Sequence, residues 1–269
     1  MTKSPLPSDA LGQLAQASEM TPSEQSDVDS YPYRQIIGAL LYVAMYTKPE
    51  ISYAVGVLSR YNENKTYASC KLATHLLRYL QGHQECVIEF AGSSLDLHCF
   101  SDADWGGDVL TRRSTTGYIV FAAGGPISWQ SKLQPTVATS SLESEYMAMY
   151  AGIQELVWLR GVMKELKCEL TKPTPFLVDS QSAKDLAENP VFHKRSKHID
   201  IKYHWIREHV NPGGFETATL HHCRTDRMAA DIFTKSLTGS LFFEHAKTIN
   251  GKQIRSSEEF VRNAKRSRK

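Results

Sequence analysis

From Tyr33 to Leu80 the apolar positions recur at helical spacing. Ile36, Ile37, Leu40, Leu41 and Ala44 line one face, and Ile51, Val55 and Leu58 another. Pro49 falls between the two runs, where it breaks the helix or opens the next one in its first turn. Leu72, Leu76, Leu77 and Leu80 make a third stretch, with Gly82 placed as a C-cap. Residues 31–84 therefore read as a small helical unit. Residues 1–30, rich in Ser, Pro, Gln and acidic positions, offer little to bury and read as a disordered lead-in.

The period then drops to two. Cys86–Phe90 and Leu95–Phe100 alternate around a Gly92-Ser-Ser turn, and Gly117–Phe121 and Pro126–Trp129 repeat the pattern around Gly124-Gly125. A long helical period runs from Ser141 to Leu166. Next come a short strand at Phe176–Val178, a helix at Ser182–Ala187 and a helix at Ile199–Val210. A strand at Glu216–Leu220 and a helix at Met228–Lys235 complete the series. Antiparallel strands, a helix, a strand, two helices, a strand and a helix predict a mixed α/β domain over residues 85–240. Residues 241–269 end in a polar, basic extension closed by Lys265-Arg-Ser-Arg-Lys269.

Composition narrows the function classes little. A formal net charge of +2 implies no partner, so only local charge is informative. Five scattered cysteines with no Cys-x-x-Cys pair argue against a disulfide framework or a thiolate zinc site. The longest apolar stretch, Ile36–Tyr46, is shorter than the roughly 18 residues a membrane span needs. The first thirty residues hold no secretory pattern. The expectation is a soluble intracellular protein of the cytoplasm or nucleus, without a small-molecule cofactor or membrane partner.

Four acids stand where a mixed sheet presents its active edge. Asp102 and Asp179 follow predicted strands, Glu145 lies early in the long helix, and Asp231 sits in the last predicted helix. Clustered carboxylates suit Mg²⁺ or Mn²⁺ and can hold two ions about 4 Å apart. The same residues also suit strand-end turns and solvated helix faces, so pattern alone leaves both readings open.

The words around those acids carry a resemblance. Phe100-Ser-Asp-Ala-Asp-Trp-Gly-Gly-Asp108, Arg112-Arg-Ser-Thr-Thr-Gly-Tyr118 and Ile127-Ser-Trp-Gln-Ser-Lys-Leu-Gln134 come first. Ala138-Thr-Ser-Ser-Leu-Glu-Ser-Glu-Tyr-Met-Ala148, Val178-Asp-Ser-Gln-Ser-Ala183, Asn189-Pro-Val-Phe-His-Lys-Arg-Ser-Lys-His-Ile-Asp200 and Ala230-Asp-Ile-Phe-Thr-Lys235 follow. In this order they resemble the ribonuclease H domain of copia-type retrotransposon Pol polyproteins. Tyr33-Arg-Gln-Ile-Ile-Gly-Ala-Leu-Leu-Tyr42, Thr47-Lys-Pro-Glu-Ile51 and Leu77-Arg-Tyr-Leu80 are similar to the thumb and connection of the reverse transcriptase that precedes it. The match runs from about Tyr33 to Leu237. It departs before Leu76, where Thr66, Ser69 and Cys70 replace the family's Pro and His-Trp pair.

The resemblance implies a ribonuclease H-like mixed five-stranded sheet behind a helical thumb and connection remnant. It further implies hydrolysis of the RNA strand of RNA–DNA hybrids with two Mg²⁺ ions, Mn²⁺ being possible. By position in the motifs, Asp102, Glu145, Asp179 and Asp231 match the catalytic, metal-holding acids. Glu143 lies about 200° around the helix from Glu145, so only one of them can face the metals, and Glu145 fits the motif better. Asp104 shares the strand face of Asp102, as an outer ligand or, preferably, a turn cap. His221, ten residues before Asp231, takes the place of a histidine that aids release, with His222 equally eligible; His221, His222 and Cys223 lack a fourth ligand for zinc.

Lys194, Arg195, Lys197 and Lys202, interleaved with Tyr203 and Trp205, form a candidate phosphate-binding face, with Trp205 read as core. Arg112 and Arg113 form a second. No Tyr-x-Asp-Asp polymerase word is present, so no DNA synthesis is expected from this chain. Partners implied are an RNA–DNA hybrid and the rest of a Pol polyprotein. The rival reading is a non-catalytic remnant of a decayed element that binds nucleic acid or docks onto a polymerase.

Overall fold

The computed structural model describes residues 2–16, 20–92, 94–168, 170–188 and 197–251. Two short helices, α1 (Ala10–Ala15) and α2 (Pro22–Ser30), lead into three further ones. These are α3 (Tyr33–Tyr46), α4 (Ser52–Ser59) and α5 (Tyr67–Gly82). Pro49 opens a 3₁₀ turn, Pro49–Ile51, that feeds α4, as its missing N–H and fixed φ favour. Thr66 and Ser69, which break the family pattern, form a reciprocal cap of α5: each backbone N–H donates to the other's hydroxyl, at 2.9 and 3.1 Å.

The lead-in differs from its expectation. Leu6, Ala10, Leu14 and Val28 are buried in the same core as α3–α5, and Thr21 with Glu24 caps α2. Four apolar side chains among polar ones show no period, yet they suffice once α5 offers a surface. His75 Nε2 bonds the Ser4 carbonyl at 2.9 Å, and Ser236 Oγ donates to the Pro7 carbonyl at 3.2 Å.

Five strands follow: β1 (His98–Asp104), β2 (Thr115–Ala122), β3 (Gly125–Leu133), β4 (Thr174–Val178) and β5 (Ala218–His222). They stand in the order β3-β2-β1-β4-β5. β1 pairs antiparallel with β2 and parallel with β4, and β4 pairs parallel with β5. Helices α6 (Ser141–Glu165), α7 (Gln181–Glu188) and α8 (Lys197–Val210) cross between the parallel strands, and α9 (Gly239–Ile249) closes the described chain. This is the expected α/β class: a mixed five-stranded, ribonuclease H-like sheet with flanking helices.

Strand alternation splits the core in two. Cys99, Tyr118, Val120, Phe176 and Val178 face α6–α8, whereas Phe100, Ile119, Phe121 and Leu177 face α3–α5, α9 and the segment around Asp231. The helical unit thus forms the second layer over the sheet. Trp129 Nε1 donates to the Ala44 carbonyl at 2.8 Å across that contact. Each large side chain buried there stabilises by about 1.5–3 kcal/mol.

Three details of the sequence reading change. Cys86–Phe90 joins no strand; Glu89 N–H instead donates to the Asn250 carbonyl at 2.9 Å. The segment read as a helix from Met228 is two 3₁₀ turns, Thr225–Arg227 and Ala229–Phe233. The extension expected from residue 241 begins inside α9, which buries Phe242, Ala246 and Ile249.

Candidate active site

β1 and β4 are neighbours running the same way, so Asp102 in β1 and Asp179, the residue after β4, reach the same end of the sheet. Asp102 lies opposite Gly117 of β2 in register. Against that glycine packs the 3₁₀ turn that carries Asp231. A carboxylate oxygen from each of Asp102, Asp179 and Asp231 lies within 4.8 Å of the other two. Asp102 is 1% exposed and Asp231 3%.

Glu145 joins this group electrostatically. Burial, then the carboxylates of Asp102 and Asp179, push its carboxyl well up. Asp231 is raised by burial and Asp102, and Asp179 by the same two causes, while Lys235 works against both shifts. Glu143 is otherwise engaged. Its carboxylate accepts from the Thr139 N–H and hydroxyl, both at 2.7 Å, and its own N–H donates to the Ser140 hydroxyl that caps α6. Asp104 turns to the loop after β1: a Cβ on Gly107 would fall 1.5 Å from its Oδ2, so only glycine lets the carboxyl settle there.

Two neighbours were not singled out in the sequence. The Thr234 hydroxyl donates to Asp102 Oδ2. Lys235 Nζ lies 3.0 Å from Asp231 Oδ1 and 3.3 Å from Asp102 Oδ2. Burial opposes the Lys235 ammonium, but Asp102 and Asp231 outweigh it and hold its pKa above the usual lysine range. Spacing held the signal: Lys235 follows Asp231 by four residues, and its N–H donates to the Asp231 carbonyl. Asp102 Oδ1 is buried without a hydrogen-bond partner. An orphaned oxygen and mutually repelling carboxylates fit a site for hard divalent cations, which take oxygen ligands.

His222 Nε2 lies 3.1 Å from the Asp179 carbonyl, while His221 stands in β5 opposite Leu177. By strand alternation His221 shares the sheet face of Leu177, on which the Asp231 segment packs, and His222 shares that of Val178. Among the described residues the acidic trio is the one group of His, Cys, Asp or Glu side chains placed to share an ion, so His221, His222 and Cys223 form no zinc site.

Arg112 and Arg113 ride on a loop beside β1. Asp108 organises it: its Oδ1 accepts from Thr111 N and Oγ1, at 2.7 and 2.6 Å, and its carbonyl accepts from Arg112 N. The other oxygen pairs with Arg60, which caps α4, so the helical unit holds the loop. Arg112 is exposed and adopts a left-handed φ of 56°. Lys202 Nζ stands 5.5 Å from the Tyr150 ring centre, and Trp205 packs edge-on to the same ring, half-buried against the core rather than inside it. Lys194 and Arg195 lie outside the described residues; Lys197 begins α8, and its side chain is outside them too.

No protein-family model matches the sequence. It is 38% identical over 241 residues to the retrovirus-related Pol polyprotein from transposon TNT 1-94 of Nicotiana tabacum, across 88% of this chain and 18% of that protein. It is 40% identical over 222 residues to the retrovirus-related Pol polyprotein from transposon RE1 of Arabidopsis thaliana, across 82% of this chain and 15% of that protein. A solved ribonuclease H1, LC11-RNase H1 isolated from compost, is similar at 16% identity and a TM-score of 0.38, over 52% of this chain and 93% of that one. The chain thus spans less than a fifth of the two polyproteins' length. Its homologues are the retrovirus-related Pol polyproteins of copia-type transposons, and within them it corresponds to a segment with a ribonuclease H-like fold.

Proposed function

We propose that the chain hydrolyses the RNA strand of RNA–DNA hybrids, as the nuclease part of a retrotransposon reverse transcriptase. The observation that carries this reading is the convergence of Asp102, Asp179 and Asp231 within 4.8 Å, with the buried Glu145 facing the charges of Asp102 and Asp179, at one end of a ribonuclease H-like sheet. These four acids would hold two divalent ions, Mg²⁺ by the hardness of the ligands and Mn²⁺ as a substitute. Such ions supply an activated water and stabilise the leaving oxygen in phosphodiester hydrolysis.

The protein's own groups do the positioning. β1 fixes Asp102 through its pairing with β2, β4 delivers Asp179 at its end, and the Thr234 hydroxyl orients the Asp102 carboxylate. The exposed Arg112 and half-buried Arg113, with the basic stretch from Lys194 to Lys202, supply cationic groups for phosphates. Hybrid would be preferred through groove shape and 2′-hydroxyls rather than base sequence.

A labelled RNA–DNA hybrid incubated with Mg²⁺, beside single-stranded RNA and duplex DNA, tests the reading. RNA cleavage in the hybrid alone supports it. Salt-sensitive hybrid binding by a folded protein that does not cleave would transfer support to the non-catalytic remnant.

A further inference from the structure

Lys235 reaches into the acid cluster from its rim. Its side chain is 35% exposed, whereas those of Asp102 and Asp231 are 1% and 5% exposed. The acids are fixed by a strand and a 3₁₀ turn, and the lysine rides on a flexible four-carbon stem with an open way out. Its ammonium now occupies Asp102 Oδ2 and Asp231 Oδ1, two of the oxygens a metal would need, and leaves Asp102 Oδ1 without a partner. One ammonium therefore satisfies the cluster only in part.

Charge balance governs what happens to the lysine when metal binds. Four ionised carboxylates are balanced by two divalent ions alone, which makes Lys235 a surplus cation as soon as the ions arrive. Coulomb repulsion at a few ångströms in a largely buried site disfavours leaving it in place. A phosphodiester approaching the site brings one negative charge, which matches the surplus.

We propose that Lys235 is an internal counter-ion that holds Asp102 and Asp231 together in the metal-free protein, yields both oxygens to the incoming ions and then pairs with a phosphate of the hybrid. This rests on the metal-dependent activity proposed for the cluster. It makes Lys235 a link between metal occupancy and substrate binding, with opposite effects on the two. Without the lysine, metal no longer competes with an ammonium, but hybrid loses a cationic contact.

Calorimetric titration of Mn²⁺ into the whole chain without nucleic acid, for wild type and Lys235→Met, reads the first effect. The KM for hybrid at saturating Mg²⁺ reads the second. We expect about tenfold tighter metal binding, equivalent to about 1.4 kcal/mol, together with a severalfold higher KM. A merely structural loss would weaken both. Lys235→Gln, with the same expectation, serves if the Met variant does not fold. Metal affinity that is unchanged or weaker overturns the proposal, as does an unchanged KM. If neither protein binds metal, the metal-dependent activity falls together with the proposal, whereas equal binding to both proteins overturns the proposal alone.

Discussion

Gly117 sits opposite Asp102 in β2, and its missing side chain is what lets the Asp231 segment lie on the sheet. A Cβ there would meet Thr234 Cγ2 at 2.7 Å, Phe233 Cβ at 2.8 Å and the Ala230 carbonyl oxygen at 3.0 Å. All three atoms belong to the segment that supplies Asp231, Thr234 and Lys235, and Ala230, Asp231, Phe233 and Thr234 are all buried in it. Ordinary contact begins near 3.4 Å, so Gly117→Ala must push this segment away by about 0.7 Å. Overpacking of this kind costs about 1–3 kcal/mol of stability, which lowers the melting temperature by several degrees.

The larger effect falls on activity. A misplacement near 1 Å costs on the order of 10²-fold, and here it separates Asp231 from Asp102 and Asp179. The assay is hybrid cleavage at saturating Mg²⁺ and substrate, read as kcat, beside a melting curve that certifies folding. Gly161→Ala is the control: it lies within α6, where an added Cβ meets nothing within 4 Å. That variant should keep wild-type kcat and gain about 0.5–1 kcal/mol of helix stability. A folded Gly117→Ala protein with wild-type kcat would refute the reasoning that this glycine sets the site's geometry.

Two further predictions concern charge. Glu50 is 2% exposed with both carboxylate oxygens unpartnered, and burial raises its pKa from 4.5 to about 7. A raised carboxyl binds its proton more tightly folded than unfolded, so its contribution to stability is lost as pH rises between these two values. At about 1.36 kcal/mol per pKa unit, the loss is roughly 3 kcal/mol by pH 8. Chemical denaturation in EDTA should therefore show Glu50→Gln gaining on wild type by that amount between pH 4.5 and 7, then running parallel; a pH-independent gap would contradict this. Arg60→Met removes the pair that ties Asp108 and its loop to α4, so KM for hybrid should rise severalfold with kcat little changed and Arg60→Lys restoring part of the loss. Equal falls in kcat for both variants with KM constant would show that the loop does not contact substrate.

Much of this arrangement was legible because periodicity reports burial. The helical stripes of α3 and α5 emerged where one face of each helix is buried along its length, whereas β1 and β2, buried on both faces, were marked by short apolar runs between glycine turns. Legibility failed where a few contacts outweigh pattern. Leu6, Leu14 and Val28 are too sparse to mark helices, and become core only against α5. Cys86–Phe90 alternates like a strand, but β1 is already paired on both sides, and the segment meets the end of α9 instead. At the site, the helical angle between Glu143 and Glu145 said that only one could face the metals; the Ser140 cap and Thr139 assign Glu143 to the helix end. Lys235 stood inside a recognised motif with no role assigned, because a lysine among carboxylates becomes visible only once the chain brings Asp102 beside Asp231.

The central claim is that these acids form one metal-dependent hydrolytic site. Single-turnover cleavage of an RNA–DNA hybrid by wild type and by Asp102→Asn, Glu145→Gln, Asp179→Asn and Asp231→Asn, each with hybrid affinity measured alongside, tests it most directly. The account predicts Mg²⁺-dependent cleavage by wild type and a loss of at least about a hundredfold in every variant, on the scale of removing a main charge-stabilising group, with hybrid still bound. Cleavage that survives loss of Asp102 or Asp179, or that proceeds equally well in EDTA, would contradict it.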